Sequence, residues 1–439
     1  MTHSLSRNIK RTASAVIEIP YTLSRIERCI NYKHIITHKS LLDRENRTRT
    51  AKKALRMLNS GSIFSAPLRE VFVLGKAAYT FQGVEQEIVS RLISKNIKVN
   101  YKIAQQNRHV IIKNLIAMLK ESCPFNIYRL DIEKFFESID RDKLFSKLIN
   151  EGRCSRLTLL LIYQLFERFD QQGINGLPRG LGISSTFSEY ALTNFDAAIR
   201  RDRNVFFYAR FVDDIVLITS PGLEKGDVVQ LIESNISPEL KVHKSGKKFA
   251  SLSVSKAGDT IRSTSPTANF EYLGYTFGVS DHNNPRDLIL GFAKRAVKIE
   301  ICPDKISKLK ARTINSFTSF LATQSHPDAL GLLSKRLRAL TGNYVITDPI
   351  SKIKIKTGIY FNYSEKNSRK DCPLVALDAM IRGLLFSTRS KLSKRIQSSI
   401  HLNDRKKLAG HSFKNGFYSK KIHSFTYEEL KNMKKAWKK

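Results

Sequence analysis

The sequence predicts an α+β fold whose second half is basic and helical, and three observations carry that prediction. Between residues 121 and 280, short apolar runs bounded by turn residues alternate with helix-length amphipathic segments. Beyond about residue 285, apolar residues recur at helical spacing and lysines and arginines fill the gaps. With 41% hydrophobic residues in 439, the chain can bury a sizeable core.

Taken in order, residues 1–60 read as helical and basic. Leu41–Leu58 sets Leu41, Leu42, Ala51, Ala54, Leu55 and Leu58 among Arg44, Arg47, Arg49, Lys52, Lys53 and Arg56. That is an amphipathic helix, and its cationic face is either simply solvated or in contact with RNA. Val71–Leu74 reads as a strand. Ile97–Ile103 is a second candidate strand, because Ile97, Val99, Tyr101 and Ile103 alternate with polar residues. Val110–Leu119 has helical length and apolar density. Asn126–Ile132 is strand-like, Lys143–Phe169 and Ser184–Ile199 are helical, and Val205–Ala209 with Ile215–Ile218 forms a hairpin. Gly222–Asn235 is a further helix and Phe270–Gly278 a further strand. Ile306, Leu309, Ile314, Phe317, Phe320 and Leu321 then mark one basic amphipathic helix, and Leu332–Leu340 a second. The last forty residues are Lys/Arg-rich and loosely patterned. No repeat or long Gly/Ser/Pro linker separates the modules.

Lys plus Arg number 75 against 39 acids, a formal net charge of +36. Solubility does not require such an excess. It favours a polyanionic partner, nucleic acid above all, bound with an affinity that falls as salt rises. Five scattered cysteines without a CxxC pair argue against a zinc finger and suit a reducing, cytoplasmic setting. No run of about eighteen apolar residues is present, and the basic start, interrupted by Glu18, lacks a signal-peptide pattern, so no membrane role is expected.

The chemistry concentrates at Asp213-Asp214, at the tip of the expected hairpin. Adjacent carboxylates flanked by apolar runs repel each other in a lowered dielectric, and a divalent cation relieves that cost. The alternative is an ordinary turn, which Asp favours. A third carboxylate, Asp131, ends the strand around Ile127, Leu130 and Ile132. A strand end beside a hairpin tip can converge three carboxylates on two Mg²⁺ ions, the arrangement that two-metal phosphoryl transfer requires. Between them, Gly176-Leu177-Pro178-Arg179-Gly180-Leu181-Gly182 precedes a helix and allows backbone to approach a ligand closely.

These segments, in this order, resemble the reverse transcriptases. Leu130–Ile139 is similar to their first palm motif, Gly176–Leu192 to the Pro-x-Gly loop and helix of the second, and Tyr208–Ile218 to the third, usually Tyr-x-Asp-Asp. Leu240–Lys247 is similar to the fourth, and Phe270–Tyr275 to the primer grip. The resemblance implies a right-hand polymerase, with fingers and a palm built on an antiparallel sheet, then a helical thumb. The implied division is a basic helical region over 1–60, fingers and palm over 61–280, thumb over 281–345 and a basic extension over 346–439.

It also implies roles. Asp131, Asp213 and Asp214 would be catalytic and hold two Mg²⁺, with the Ile132 carbonyl completing a coordination shell. Lys102, Arg108, Phe136, Arg179, Gly180, Phe211 and Lys247 would face the nucleotide, and Tyr272, Leu273 and Gly274 would form the primer grip. Phe136 falls where the family keeps an aromatic steric gate against a ribose 2′-hydroxyl, the alternative being core packing. Lys102 and Arg108 are either triphosphate ligands or ordinary surface cations. Phe211 replaces the usual Tyr, and Arg179 stands where many members have Gln.

No ribonuclease H pattern follows residue 300, and neither the maturase Pro-Gln-Gly nor a retron Asn-Ala-x-x-His element is present. The Leu-Pro-Arg-Gly loop, the Ile183–Glu189 segment and the basic tail are most similar to bacterial defence-associated reverse transcriptases of the unknown-group and abortive-infection kind. That similarity implies DNA synthesis from dNTPs on an RNA template or scaffold, dedicated and noncoding, in protection against bacteriophage. It leaves room for self-association or a second subunit. A retron-type enzyme making a branched RNA–DNA product, and a catalytically silent RNA-binding scaffold, are the competing expectations. Leu340-Thr341-Gly342 only imperfectly echoes the retron Val-Thr-Gly triplet.

Overall fold

Phe125–Asp131 forms the strand around which the first half of the chain is arranged. A computed structural model describes residues 18–73, 75–257, 268–282, 294–347, 354–369 and 372–437, apart from the side chains of residues 247, 281, 282 and 294. The chain divides into two compact units, one within Met1–Met118 and Cys123–Lys256, the other within Leu119–Ser122 and Ala257–Lys439.

The first unit opens with helices α1 (Leu23–Glu27), α2 (Tyr32–Thr37) and α3 (Arg44–Asn59). The hairpin of β1 (Arg69–Val73) and β2 (Lys76–Thr80) follows, then α4 (Val84–Asn100) and α5 (Arg108–Leu119). Next come β3 (Phe125–Asp131), α6 (Arg141–Glu151), α7 (Arg156–Gln171), α8 (Gly182–Ala191) and α9 (Thr193–Arg201). Strands β4 (Val205–Phe211) and β5 (Asp214–Thr219), helix α10 (Lys225–Asn235) and strand β6 (Ala250–Val254) complete it. The sheet has order β4-β5-β3-β6, with every pairing antiparallel. Strand β3 is central and buried along nearly its whole length, so its apolar residues form a run rather than a strict alternation. Residues of α3, α4, α7 and α8 share one apolar core with β3 and β5.

Several expected elements differ. The candidate strand Ile97–Ile103 is the end of α4 and the turn after it. Ile88, Val89, Leu92, Ile93 and Ile97 are buried at helical spacing, whereas Val99 is 59% exposed. The period-2 alternation was a subset of a helical stripe that begins upstream of it. Lys143–Phe169 is two helices, because Gly152 adopts φ 64 at the end of α6 and Ser155 caps α7 through Thr158 N. Ser184–Ile199 is likewise split, at Leu192. The helix expected from Gly222 begins at Lys225, after Glu224. Residues 1–17 and Leu74 lie outside the described residues.

In the second unit, β7 (Ala268–Tyr272), β8 (Tyr275–His282) and β9 (Lys294–Ile301) form an antiparallel meander. The single strand expected over Phe270–Gly278 is therefore a hairpin. Leu273 (φ 45) and Gly274 (φ 83) make its turn, two consecutive positive angles whose twist suits paired strands. Helices α11 (Pro303–Ala322) and α12 (Ala329–Thr341) contain the two basic amphipathic segments. A sheet of order β11-β10-β12 joins β10 (Asn343–Thr347), β11 (Lys354–Gly358) and β12 (Ile422–Ser424). The short helix α13 (Ile359–Asn362) follows β11. The loosely patterned tail forms α14 (Pro373–Phe386), α15 (Lys391–Ser399), α16 (Leu402–Ala409), α17 (Phe413–Tyr418) and α18 (Tyr427–Lys435). Phe317, Leu333, Leu337, Leu374, Leu377 and Phe413 belong to the core they share with α11 and α12. Among the described residues no helix is long and apolar enough to cross a membrane.

The helical register of α4 has a direct test. Ile97→Lys should unfold the protein or cost about 3 kcal/mol or more in urea denaturation, because it buries an unpaired ammonium. Val99→Lys should fall within about 0.5 kcal/mol of wild type. Equal damage at both positions would instead indicate a strand.

Candidate active site

The pairing of β3 with β5 puts Asp131 directly opposite Asp214. Asp213 lies in the two-residue turn between β4 and β5, and its carbonyl accepts a hydrogen bond from Ile132 N at 3.1 Å. On the other side of β3, Glu133 N donates to Lys241 O at 2.7 Å and His243 N to Asp131 O at 3.0 Å. The strand end is thus held from both flanks. Val212 occupies the turn at φ 63, a left-handed angle unfavourable for a β-branched residue.

Arg210 holds that turn. Its guanidinium is buried and bonds Glu189 at 2.7 Å, Asp196 at 2.8 Å and the Val212 carbonyl at 2.8 Å. Tyr208 donates to the same Asp196 at 2.6 Å. Burial disfavours the guanidinium charge, but pairing with Asp196 and Glu189 outweighs it and raises the pKa. Nothing in the local motif marks Arg210 as special, since its partners come from α8 and α9.

Two of the three aspartates, Asp213 and Asp214, carry the electrostatic cost expected of them. Asp131 is 7% exposed. Burial raises the pKa of Asp213, with repulsion from Asp131 and Asp214 adding to it. Burial also raises Asp214, partly offset by Arg129 and reinforced by Asp131. Cations of the chain lie against these acids. Lys248 Nζ pairs with Asp131, Arg129 Nη2 lies 3.1 Å from Asp214 Oδ1, and His243 Nε2 lies 3.5 Å from Asp131. Arg129 precedes Asp131 by two residues on one strand and so shares its face of the sheet.

Among the described residues, no three His, Cys, Asp or Glu side chains converge closely enough to hold a metal ion. Asp131 and Asp214 are instead paired with cations of the chain. The donor set nevertheless fits a hard divalent cation: oxygen ligands only, partly buried, and mutually repelling.

The glycine-rich loop lies against the turn that follows β3. Gly176 (φ +58) approaches so closely that a Cβ would lie 2.4 Å from the Phe136 and Glu137 carbonyl oxygens. Leu177 N donates to Phe136 O at 2.7 Å. On its other side, Tyr79 N of β2 donates to Arg179 O at 2.7 Å, and a Cβ on Gly180 (φ +95) would come within 2.6 Å of Tyr79 O. Arg179 pairs with both carboxylate oxygens of Glu137 and lies over the Phe136 ring at 5.9 Å. Burial disfavours the Glu137 carboxylate, but Arg179 outweighs that effect, Lys76 assists, and the pKa is lowered.

The remaining candidates are dispersed. Phe211, half-buried, faces Asp214 across the hairpin. Lys102 is exposed beyond α4 at φ 52 and bonds to none of the aspartates; Arg108 starts α5. The Lys247 side chain lies outside the described residues, and its neighbour Lys248, passed over in the sequence, is the lysine that pairs with Asp131. Tyr272, Leu273 and Gly274 belong to the second unit, where Tyr272 is 1% exposed and Gly274 O accepts from Cys302 N at 3.1 Å. Lys76, Arg129, Glu137, Arg210 and Lys248 are the residues the motifs did not reveal.

The first unit thus combines an acidic sheet end, a glycine loop against the turn after β3 and cations around both. Residues 85–277 match the family described as reverse transcriptase (RNA-dependent DNA polymerase). The enzyme is thus an RNA-directed DNA polymerase, a conclusion that rests on a domain covering this sheet and loop. No match to the chain was found among curated proteins.

The raised pKa of Asp213 predicts a trade between stability and activity. A carboxyl group raised in the folded state weakens the fold above that pKa, and the loss fades as pH falls toward 3.8, its ordinary value. Asp213→Asn should therefore melt at a higher temperature than wild type at pH 7. The difference should shrink as pH falls through the raised pKa, and a lower melting temperature at pH 7 would contradict the argument.

Proposed function

We propose that the carboxylate end of the sheet performs two-metal nucleotidyl transfer, extending DNA on an RNA template. The observation that carries this is the β3–β5 register, which sets Asp131 against Asp214 with Asp213 in the adjoining turn. In this proposal Asp131 and Asp213 hold both Mg²⁺ ions, Asp214 assists and the Ile132 carbonyl contributes a ligand. When bound, the ions supply a lowered pKa at the attacking 3′-hydroxyl and charge neutralisation at the leaving pyrophosphate.

The chain's own residues prepare that site. Lys248 must release Asp131 for a cation to take its place, and Arg129 screens Asp214 in the meantime. Arg179 exchanges Glu137 for nucleotide phosphate, and Lys76 supplies a second positive charge close by. Phe136, fixed by the Leu177–Phe136 backbone bond, excludes the 2′-hydroxyl of a ribonucleotide. Lys102, Arg108, Gly180, Phe211 and Lys247 line the nucleotide path, and the Tyr272-Leu273-Gly274 turn grips the primer. The +36 charge and the basic helical tail support retention of a structured, noncoding RNA, and the motif resemblance supports a role in bacterial defence against phage.

Purified protein with its copurified RNA, Mg²⁺ and dNTPs should extend DNA. Asp213→Ala removes a ligand supporting several kcal/mol of charge stabilisation, so synthesis should fall about a thousand-fold or more. Cells carrying that variant should lose protection against phage. Intact synthesis would refute the polymerase assignment to these residues, and intact protection alone would refute the link to defence. Phe136→Ala should raise ribonucleotide incorporation relative to deoxyribonucleotide by about ten-fold or more, measured as a ratio of kcat/KM values.

A further inference from the structure

Arg336, on α12, is a buried cation with no counter-charge among the described residues. It is 4% exposed, and among the described residues its guanidinium has no hydrogen bond or ion pair; its Nε is enclosed without a partner. Burial alone pushes its pKa down, with no carboxylate opposing the shift. Such a group is costly unless something pairs with it. Other buried cations of the chain do find partners: Arg210 has Glu189 and Asp196, and Lys366 has Glu300 at 3.3 Å.

Arg336 lines a cavity of about 510 Å³ between the end of α11, the start of α12 and α18. Lys335, Lys435 and His326 add positive or protonatable groups to its wall, and Thr323 and Ser325 add hydroxyls. Two acids also line it. Glu429 is committed, pairing with Lys335 at 3.0 Å and accepting from Thr426 N at 2.8 Å. Asp328 lies against Gly331 in the first turn of α12 and makes no ion pair with Arg336. The positive end of the α12 dipole faces the same space.

We propose that this cavity is a phosphate-binding site, receiving a phosphate group either from an RNA strand or from a free nucleotide. A guanidinium fork matches two phosphate oxygens, and Lys435 supplies a second charge at the rim. The site lies wholly in the second unit, so it stands or falls independently of polymerisation at the aspartates.

The test uses the full chain and reads melting temperature against inorganic phosphate. Wild type should be stabilised progressively. Arg336→Met keeps the bulk and removes the charge. It should melt no lower than wild type without phosphate, and its apparent phosphate affinity should be about ten-fold weaker or worse. Binding of a single-stranded RNA without terminal phosphates, and of dATP, is then compared between the two proteins. A loss confined to RNA identifies a backbone phosphate, and a loss confined to dATP identifies a free nucleotide. Should Arg336→Met fail to fold, Lys435→Gln carries the test, with phosphate affinity expected about three-fold weaker. An unchanged phosphate response in the folded variant overturns the proposal.

Discussion

Like charges brought together at the end of one sheet are the constraint on which the rest of the first unit depends. Antiparallel pairing fixes Asp131 against Asp214, and the turn adds Asp213, so repulsion is built in by register. The fold tolerates it because Lys248 and Arg129 supply compensating charge and a buried ion cluster around Arg210 fixes the turn from the opposite side of β4. The left-handed Val212 would relax without that clamp. The turn that carries Asp213 is thus clamped by Arg210 through the Val212 carbonyl, a contact that involves none of the three carboxylates.

Close backbone approach is the second theme. Gly176 and Gly180 sit where any side chain would strike a carbonyl oxygen, so the loop is wedged between the turn after β3 and the β1–β2 hairpin. Three segments distant in sequence are thereby fixed around Phe136. The cost is backbone freedom lost on folding, which glycine feels most. The return is an aromatic ring, Phe136, and a cation, Arg179, at defined positions.

What the sequence disclosed follows from what kind of signal each feature leaves. The aspartates, the glycine loop and β3 are local patterns and could be found by inspection. Arg129, Glu137, Arg210 and Lys248 matter because of partners 42 to 117 residues away for three of them, and 14 to 21 for Arg210. No window along the chain contains that information. Ile97–Ile103 misled because period-2 and helical spacings overlap over seven residues, and only the upstream stripe from Ile88 separates them. The turn at Leu273-Gly274 interrupts an otherwise convincing apolar run, and a lone glycine was too weak a sign of it. The tail became helices because its sparse apolar residues meet in space, as Leu374, Leu377 and Phe413 do.

The division of the chain has a consequence for how such a protein can change over generations. Leu119–Ser122 belongs to the second unit, although residues on both sides of it belong to the first. Ser122 O accepts the Ala257 N–H at 2.9 Å and the Arg295 guanidinium at 3.3 Å. The polypeptide therefore crosses between units at three points rather than one. A second half attached by a single junction can be gained, lost or exchanged by one recombination event. Here any such exchange would also have to supply four residues embedded far upstream, which ties the inheritance of the two halves together.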